Sequence, residues 1–471
     1  MRVYDLCVIG SGPAGQRAAI QAAKLGRSVC VVEKRILGGV AINTGTIPSK
    51  ALREAIMAEL QRSRGLFKPG GDLKTRRNDT FQGLLGACQQ VIQHEVDLVR
   101  THFGGNGVEL FEGEASFVDQ HNVLIKREHS NETIQAENIL VSVGTQPARP
   151  PDLVFDGENV ITSDQLVSLP YMPQSMIVVG GGVIGTEYAS MISALGVRTT
   201  LVEGRDRLLG FVDREIVEAL QYHLRVGGMT LRLGERVVNV SVIDPPPGAR
   251  SYNGKMVQAT LESGKMLRAD CLLYCVGRQG ATGKLGLENC NLEADHRGRL
   301  KVNDVFQTEV PHIYACGDVI GFPALASTSM EQGRLAACHM FGEPTQSVPE
   351  LLPFGIYAVP EISMVGWTES KLTEKGIPYE AGIAQYREIA RGQLLGDDIG
   401  MLKMLIHQET REILGVHCIG TGATELVHIG QAAIAFKATV DYFVNTVFNY
   451  PTLAECYKVA ALNGMNKLRC I

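Results

Sequence analysis

Two stretches of the chain share one pattern of hydrophobic and polar residues. In each, a short apolar run meets a glycine-rich turn, a segment with helical spacing follows, and a second apolar run ends at a glutamate. The first stretch spans residues 4–33 and the second residues 176–203. Short apolar runs bounded by turn residues are typical of buried strands, so each stretch predicts a β-α-β unit.

Each glycine-rich turn is predicted to bind a nucleotide. Its glycines allow a tight turn, the close approach of a pyrophosphate and close helix–strand packing, while the helix N-terminus faces the phosphates. The carboxylates that end the two stretches, Glu33 and Glu203, are placed to accept hydrogen bonds from ribose hydroxyls. The alternative for each is an ordinary strand–helix turn, but two such units in one chain favour two nucleotides. The predicted contacts are Gly10, Gly12, Pro13, Ala14, Gly15 and Lys34 in the first stretch, and Gly180, Gly182, Val183, Ile184 and Gly185 in the second.

The pattern changes several times along the rest of the chain. Residues 65–105 have helical spacing with a polar, basic insert at 68–78, and residues 108–139 alternate apolar and polar positions, which predicts a small antiparallel meander. The proline-rich run 147–151 predicts a linker, and residues 237–274 predict further short strands. From about Val348 strands and helices alternate.

Composition and charge narrow the function. The formal net charge of the 471 residues is -5, which implies no nucleic-acid-binding surface at the level of the chain. No apolar run reaches the roughly 18 residues of a membrane span, and the strand predicted near the N-terminus argues against a signal peptide. The 11 cysteines form no framework, so a reducing cytoplasm is expected. The nearest pair, Cys271 and Cys275, lies in an apolar run, which favours structural thiols over a redox pair or a metal site.

A third stretch, residues 37–50, carries two adjacent glycines before the sequence Ile-Pro-Ser-Lys. The glycines let the backbone pass close to a flat group, and a helix is predicted to begin with Pro48 in its first turn. The stretch resembles the redox helix of the flavoprotein disulfide reductases, where two cysteines stand between the paired glycines and the Ile-Pro-Ser-Lys. The corresponding positions here are Ala41 and Thr46. Neither can form a thiolate, so the resemblance implies the scaffold of a disulfide reductase without its dithiol chemistry.

Further motifs extend this resemblance over essentially the whole chain. The matching segments are residues 139–147, 277–278, 310–318, 360–366, 414–417 and 449–455. In the family the aspartate that corresponds to Asp318 accepts a hydrogen bond from the ribitol chain of the flavin. Tyr450 stands where the family has a histidine that manages the thiol protons, while the neighbouring acid remains as Glu455. Because tyrosine is a poor base near neutral pH, the thiol machinery is missing as a unit.

The resemblance implies an α/β fold with two Rossmann-like dinucleotide-binding domains and a C-terminal α+β interface (dimerisation) domain. The implied domains are FAD-binding (1–150), NAD(P)-binding (151–275), central FAD-binding (276–347) and interface (348–471). Non-covalent FAD would bind to the first domain. The further cofactor contacts that the resemblance implies are Gly38, Gly39, Val40, Thr46, Lys50, Ala115, Gly144, Glu187, Gly277, Gly317, Leu325 and Ala326.

Two residues are implied to be catalytic. In the family, a lysine at the position of Lys50 lies near the reactive flavin nitrogen and pairs with the glutamate that is Glu187 here. The alternative for Lys50 is a solvated helix lysine. A flavin without a dithiol must pass its hydride elsewhere, and the simplest acceptor is a second nicotinamide. This combination resembles the soluble pyridine nucleotide transhydrogenases, a branch of the family, and implies FAD-dependent hydride transfer from NADPH to NAD+ by a ping-pong mechanism.

Several alternatives stay open at this level. An NAD(P)H:quinone reductase of the same fold would pass the electrons to a quinone, whereas a nucleotide-binding sensor or a structural paralogue would catalyse no reaction. Glu203 favours the free ribose of NAD, whereas Arg205 and Arg207 could reach the 2'-phosphate of NADP or be solvated loop charges. The expected partners are nicotinamide dinucleotides and further copies of the chain, as a homodimer or larger homo-oligomer, with no nucleic acid, membrane or metal.

Overall fold

The computed structural model describes residues 1–64, 73–248, 251–344 and 351–468. The first part of the chain builds a sheet flanked by helices. Its elements are β1 (Arg2–Ile9), α1 (Pro13–Lys24), β2 (Val29–Glu33), α2 (Gly39–Asn43), α3 (Thr46–Arg64), α4 (Leu73–Gly105), β3 (Glu109–Glu112), β4 (Glu114–Phe117), β5 (Asn122–Lys126), β6 (Asn131–Val141) and β7 (Thr145–Pro147). Of the basic insert predicted at 68–78, residues 68–72 lie outside the described part of the chain, and the remainder begins α4.

The meander predicted for residues 108–139 is only partly correct. β4, β5 and residues 131–135 of β6 are antiparallel neighbours, as predicted. β3 instead lies parallel beside β2, and residues 134–141 of β6 lie parallel beside β1. Two physical reasons explain the difference. The long helix α4 between β2 and β3 is a crossover that allows parallel pairing, and the end of β6 is a continuous apolar run, which suits a strand buried on both faces.

The second part of the chain repeats this architecture. Its elements are β8 (Val160–Thr162), α5 (Ser163–Leu166), β9 (Ser175–Val179), α6 (Val183–Ala194), β10 (Arg198–Glu203), α7 (Arg214–Val226), β11 (Thr230–Leu233), β12 (Val237–Ile243), β13 (Met256–Leu261), β14 (Met266–Ala269) and β15 (Cys271–Tyr274). The parallel strands lie in the order β11-β10-β9-β15-β8, and the antiparallel strands β12, β13 and β14 form a separate sheet. Apolar residues of the two sheets share one core, so the small sheet covers one face of the parallel one.

The chain then returns to the first domain through β16 (Arg278–Gly280), β17 (Ile313–Ala315) and α8 (Ala326–Met340). β16 pairs with β7, and β17 lies parallel beside β6. The parallel strands of the first domain therefore follow the order β3-β2-β1-β6-β17, with α8 packed against α1. Both predicted β-α-β units are present, each with its glycine-rich turn at the carboxyl end of the first strand.

The C-terminal part is a five-stranded antiparallel sheet with helices. Its elements are β18 (Phe354–Ile356), β19 (Ile362–Gly366), α9 (Glu369–Glu374), β20 (Tyr379–Gln385), α10 (Ala390–Leu395), β21 (Met401–His407), β22 (Ile413–Ile419), α11 (Ala423–Ala435), α12 (Val440–Asn445) and α13 (Glu455–Leu468). The strands lie in the order β18-β19-β22-β21-β20, and α11 and α13 pack on them. The predicted fold class is confirmed, while the limits predicted for each domain stay a prediction.

Buried charges join the second domain to the C-terminal domain. The fully buried Nζ of Lys403 lies 2.9 Å from carboxylate oxygens of Asp213, Glu215 and Glu369. Burial alone would raise the pKa of Asp213, but the positive charge of Lys403 and its hydrogen bond outweigh it and hold that pKa below its usual range. Three carboxylates around one buried ammonium fix the start of α7, and therefore the loop between β10 and α7, against β21. No described helix is long and apolar enough to cross a membrane.

Candidate functional site

The first glycine-rich turn is crowded on one side and open on the other. A Cβ atom on Gly15 would lie 2.0 Å from the carbonyl oxygen of Gly10, so the helix can approach the strand only with glycine there. Gly10 itself has φ +102°, which favours glycine. A Cβ on Gly12, by contrast, would have no atom within 4 Å. Gly12 immediately precedes α1, so this open side lies at the N-terminus of a helix, where a phosphate is favoured.

Glu33 and Ser11 connect the first glycine-rich turn, the end of β2 and the start of the stretch 37–50. Its Oε2 accepts hydrogen bonds from the amide and the hydroxyl of Ser11 at 3.0 and 2.7 Å. The same hydroxyl oxygen accepts a hydrogen bond from the amide of Gly38 at 2.9 Å, while Oε1 of Glu33 accepts one from the amide of Arg35. Ser11 was missed by the sequence reasoning, although a hydroxyl residue between two turn glycines was a visible signal. Glu33 is therefore bound to the protein itself, at the point predicted for a ribose.

The stretch that resembles the redox helix is folded as two helices. Gly38 and Gly39 have φ +93° and +61°, and a Cβ on Gly39 would lie 3.1 Å from Cα of Gly12, so the two glycine segments touch. The short α2 follows, held by Asn43, whose side-chain amide donates to carbonyl oxygens of Leu37 and Gly39 at 2.9 Å each. α3 then begins at Thr46, with Pro48 in its first turn, as predicted. Sequence reasoning missed Asn43.

Lys50 and Glu187 lie together where α3 meets α6. Nζ of Lys50 donates to both carboxylate oxygens of Glu187, at 3.0 and 2.9 Å. The side chain of Lys50 is 26% exposed and that of Glu187 only 4%. Tyr357, just after β18, completes the group: its backbone N–H donates to Oε1 of Glu187 at 2.8 Å, and its ring centre lies 4.7 Å from Nζ of Lys50. The sequence carried no signal for Tyr357, which is 170 residues from Glu187 along the chain.

The second turn repeats the geometry of the first. Gly180 has φ +106°, and a Cβ on Gly185 would lie 1.9 Å from the carbonyl oxygen of Gly180. Oε2 of Glu203 accepts a hydrogen bond from the amide of Gly181 at 2.6 Å. Burial alone would raise the pKa of Glu203, but hydrogen bonds from Arg205 and from the Gly181 amide outweigh it and hold that pKa below its usual range. Glu203 is therefore an ionised carboxylate.

Asp318 lies on a short 3-10 helix at the end of β17. Its Oδ2 is 3.4 Å from the hydroxyl of Thr145, and Arg278 donates to both the hydroxyl and the carbonyl oxygen of Thr145, at 2.8 and 2.9 Å. Burial raises the pKa of Asp318, and the nearby Arg278 and Thr145 only partly oppose it. Thr145 begins β7, where the chain leaves the first domain, and Arg278 begins β16, where the chain returns to it. The contacts between these residues therefore hold the two paired strands together.

The other residues predicted to contact a cofactor are distributed over both dinucleotide-binding domains. Lys34 lines a cavity of about 920 Å³ together with Gly113 and Ala281. Ala115 is buried in β4 and is not among the residues that line this cavity. Positive φ angles occur at Gly144, Gly277 and Gly317. Val40, Val183 and Ile184 are half-buried, and Leu325 with Ala326 forms the start of α8.

Neither of two further candidates is brought to the Lys50–Glu187 pair by a described contact. Tyr450 is exposed on the C-terminal domain, and Oε2 of Glu455 is buried without a hydrogen-bond partner among the described residues. The ten cysteines in the described part of the chain are unpaired. Burial raises the pKa of the Cys271 thiol and that of Cys275, the latter to about 12, which suits structural thiols. No group of three or more potential metal ligands occurs in the described ranges.

Comparison with known proteins identifies the family. Residues 4–333 match the family described as pyridine nucleotide-disulphide oxidoreductase, and residues 352–461 match its dimerisation domain. The chain belongs to this family. The resemblance drawn from its motifs is thereby confirmed.

Relatives in this family match the chain over its full length. Soluble pyridine nucleotide transhydrogenase of Mycobacterium bovis is 52% identical and is aligned over 100% of this chain and 99% of its own. The protein of the same name from Colwellia psychrerythraea is 45% identical, over 99% of this chain and 98% of its own. Among solved structures, LpdA of Mycobacterium tuberculosis has a TM-score of 0.86 at 25% identity, over 98% of this chain and 99% of that one. The HOCl-induced flavoprotein disulfide reductase RclA of Escherichia coli also has a TM-score of 0.86, at 25% identity, over 98% of this chain and 100% of that one.

Proposed function

We propose that the protein is an FAD-dependent oxidoreductase that transfers hydride between NADPH and NAD+, forming NADP+ and NADH without a dithiol. The observation that carries this proposal is the contrast within residues 37–50. The glycines and the Lys50–Glu187 pair of the family scaffold are in place, while Ala41 and Thr46 occupy the thiol positions. Full-length relatives that are named soluble pyridine nucleotide transhydrogenase support the same conclusion.

The residues of the first domain fit a flavin dinucleotide. The open side of the turn at Gly12 would take the pyrophosphate at the N-terminus of α1, and the cavity at Lys34 is large enough for the adenosine end. The backbone at Gly38 and Gly39 would pass close to the flavin ring, and Asp318 would accept a hydrogen bond from the ribitol chain. When bound, FAD supplies a two-electron acceptor and donor.

Lys50 and Glu187 act as an oriented pair in this proposal. Two hydrogen bonds from Lys50 Nζ to one carboxylate, together with the ring of Tyr357, hold the ammonium in one place. A fixed cation where negative charge accumulates costs no reorganisation during the reaction. Glu187 is itself fixed by the amide of Tyr357, so the C-terminal domain contributes to the orientation of the pair.

The second domain would bind the nicotinamide dinucleotides in turn. Its glycine-rich turn would take the pyrophosphate, and Glu203 or the charges beside it would face the adenosine ribose. One such turn in the second domain implies that the first dinucleotide leaves before the second binds, which gives ping-pong kinetics. The proposed setting is the cytoplasm, and the proposed assembly is a homodimer or larger homo-oligomer formed through the dimerisation domain.

The test is a steady-state acceptor screen on purified, flavin-loaded protein. NADPH serves as the donor and a spectrally distinct NAD analogue as the acceptor, with a quinone as the competing acceptor. We expect reduction of the analogue, parallel double-reciprocal plots and inhibition by high NADPH. If the analogue is not reduced while the quinone is turned over quickly, the protein is an NAD(P)H:quinone reductase. If neither is reduced, the proposal of an enzyme fails.

A further inference from the structure

The turn between β18 and β19 of the C-terminal domain contacts helices of both other domains. Residues 357–359 of this turn are called the strap below. The amide of Tyr357 donates to Oε1 of Glu187 on α6 at 2.8 Å. The amide of Val359 donates to the hydroxyl oxygen of Ser190, a buried residue one turn further along α6, at 3.0 Å. Two amides of the strap are therefore hydrogen-bonded to the second domain.

The carbonyl group in the middle of the strap is hydrogen-bonded to the first domain instead. The carbonyl oxygen of Ala358 accepts from Nε of Arg53 on α3 at 3.0 Å. Nη2 of the same guanidinium lies 3.2 Å from Oε2 of Glu361, two residues beyond the strap. The side chains of Arg53 and Glu361 are only 8% and 6% exposed, so the two form a buried ion pair. One guanidinium thus fixes both the strap and the residue that follows it against α3.

The two helices hold the strap one turn away from the pair that is implied to be catalytic. Arg53 follows Lys50 by three positions on α3, and Ser190 follows Glu187 by three positions on α6. Residues three apart lie on the same face of a helix. The two helices are therefore joined twice, once by the Lys50–Glu187 contact at 2.9 Å and once, a turn further on, through the strap.

We propose that Arg53 is a positioning residue for hydride transfer, which acts through the strap on Lys50. Arg53 holds the strap against α3, and the strap holds the carboxylate of Glu187 and the ring of Tyr357 on either side of the Lys50 ammonium. Without Arg53 the strap is free to shift, the ammonium occupies several positions, and a preorganised charge becomes a less effective one. The inference deepens the proposed function and rests on it, because the role of Lys50 is assigned there.

The test uses a double variant of the full-length, flavin-loaded protein. Arg53→Met alone would leave the buried carboxylate of Glu361 unpaired, which is strongly destabilising. Arg53→Met combined with Glu361→Gln removes both charges and keeps a side-chain oxygen for the amides of Ala423 and Thr424, which donate to Glu361. We therefore expect this double variant to unfold at nearly the same temperature as the unmodified protein.

Three readouts separate positioning from a purely structural role. Anaerobic stopped-flow reduction at saturating NADPH should be about 10-fold slower in the double variant, close to the effect of losing one hydrogen bond. The half-saturating NADPH concentration should change little, because the glycine-rich turn at residues 180–185 is not part of the strap. The midpoint potential of the flavin should fall, because a less oriented ammonium stabilises the reduced flavin less.

Two single variants complete the comparison. Ser190→Ala removes the acceptor of the Val359 amide without any change of charge, and it should also slow reduction and lower the potential. The matched control is Glu54→Gln. Glu54 pairs with Nη1 of Arg53 at 2.7 Å but is 70% exposed, so this contact contributes little and its loss should change no readout.

The proposal is overturned if a folded double variant keeps the unmodified rate and potential. It is also overturned if the rate falls only in proportion to stability at an unchanged potential, or if Glu54→Gln slows reduction as much as the double variant does. Should the double variant not fold, Ser190→Ala decides: an unmodified rate and potential overturn the proposal, and losses of both support it.

The outcome is separable from that of the proposed function, because reduction by NADPH and the flavin potential do not involve the second acceptor. Transhydrogenation by the unmodified protein together with unaltered readouts in the variants would overturn the role of Arg53 and leave the reaction standing. Slow reduction and a lowered potential in the variants of a protein that reduces a quinone but not the NAD analogue would support Arg53 and reject the transhydrogenase.

Discussion

Replacing Glu187 tests whether the oriented lysine matters for reaction. Glu187→Gln keeps one carbonyl oxygen that can accept from the amide of Tyr357 but removes the charge opposite Lys50. Hydrogen bonds to charged groups contribute about 1.5–3 kcal/mol, and the partly exposed Lys50 places this pair near the lower end. If that energy is used to orient the ammonium, the rate of flavin reduction by NADPH should fall about 10-fold.

Glu187→Ala removes both the charge opposite Lys50 and the side-chain oxygen atoms. The amide of Tyr357 then loses its acceptor as well, which should lower the free energy of unfolding by a further ~1–3 kcal/mol. The glutamine variant should therefore be slow but nearly as stable as the unmodified protein, while the alanine variant should be slow and less stable.

The assay is anaerobic stopped-flow reduction at saturating NADPH, paired with thermal unfolding of each variant. Glu218→Gln is the matched control, since Glu218 pairs with Arg214 on an exposed helix face of the same domain and should change neither quantity. A glutamine variant that is reduced at the unmodified rate would refute the role of the pair. Equal losses of rate and stability in both variants would reduce Glu187 to a structural residue.

Three further predictions concern the cofactor, the thiols and acid stability. Heat denaturation should release FAD, identified by absorbance and mass, and recovery of FMN or of no flavin would contradict the assignment. Anaerobic titration should consume two electrons per subunit and show no long-wavelength thiolate–flavin band; consumption of four would implicate Cys271 and Cys275. Burial lowers the pKa of His417, so the native protein leaves it neutral where the unfolded chain would protonate it. Its contribution to stability is complete above the unfolded pKa of about 6.5 and is lost as pH falls from there towards the lowered native value. The loss of unfolding free energy between pH 7 and pH 5, measured by denaturant titration, should be smaller in His417→Gln than in the unmodified protein, and equal losses would disprove this.

The sequence pattern predicted those parts of the site whose structure depends on residues close together in the chain. Strand, turn and helix of each β-α-β unit depend on residues close in sequence, and the start of α3 near Pro48 depends on its own first turn. The Lys50–Glu187 contact could be expected only through the family resemblance, because its partners lie 137 residues apart. The contacts that the sequence missed include two tertiary ones, Ser11 with Gly38 and Tyr357 with Glu187, and the local contacts of Asn43 within its own stretch.

The sequence also failed to predict which strands pair within residues 108–139, and the reason is related. Alternation of apolar and polar residues reports which face of a strand is buried but not which neighbour it acquires. β6 uses one end for an antiparallel pair and the other for a parallel one, and only the surrounding sheet decides where the change occurs.

The stretch 37–50 lacks the thiols of the disulfide reductases but keeps the geometry that positions Lys50. Asn43 still holds α2, Gly39 still touches the first turn, and α3 still carries Lys50 to Glu187. None of these contacts uses the side chains at positions 41 and 46, so the arrangement that carries Lys50 to Glu187 does not depend on thiols there. The stretch therefore keeps its task of orienting Lys50 beside the proposed flavin. With Lys50 oriented and no thiol to accept electrons, the proposed acceptor is a second dinucleotide bound by the glycine-rich turn of the second domain.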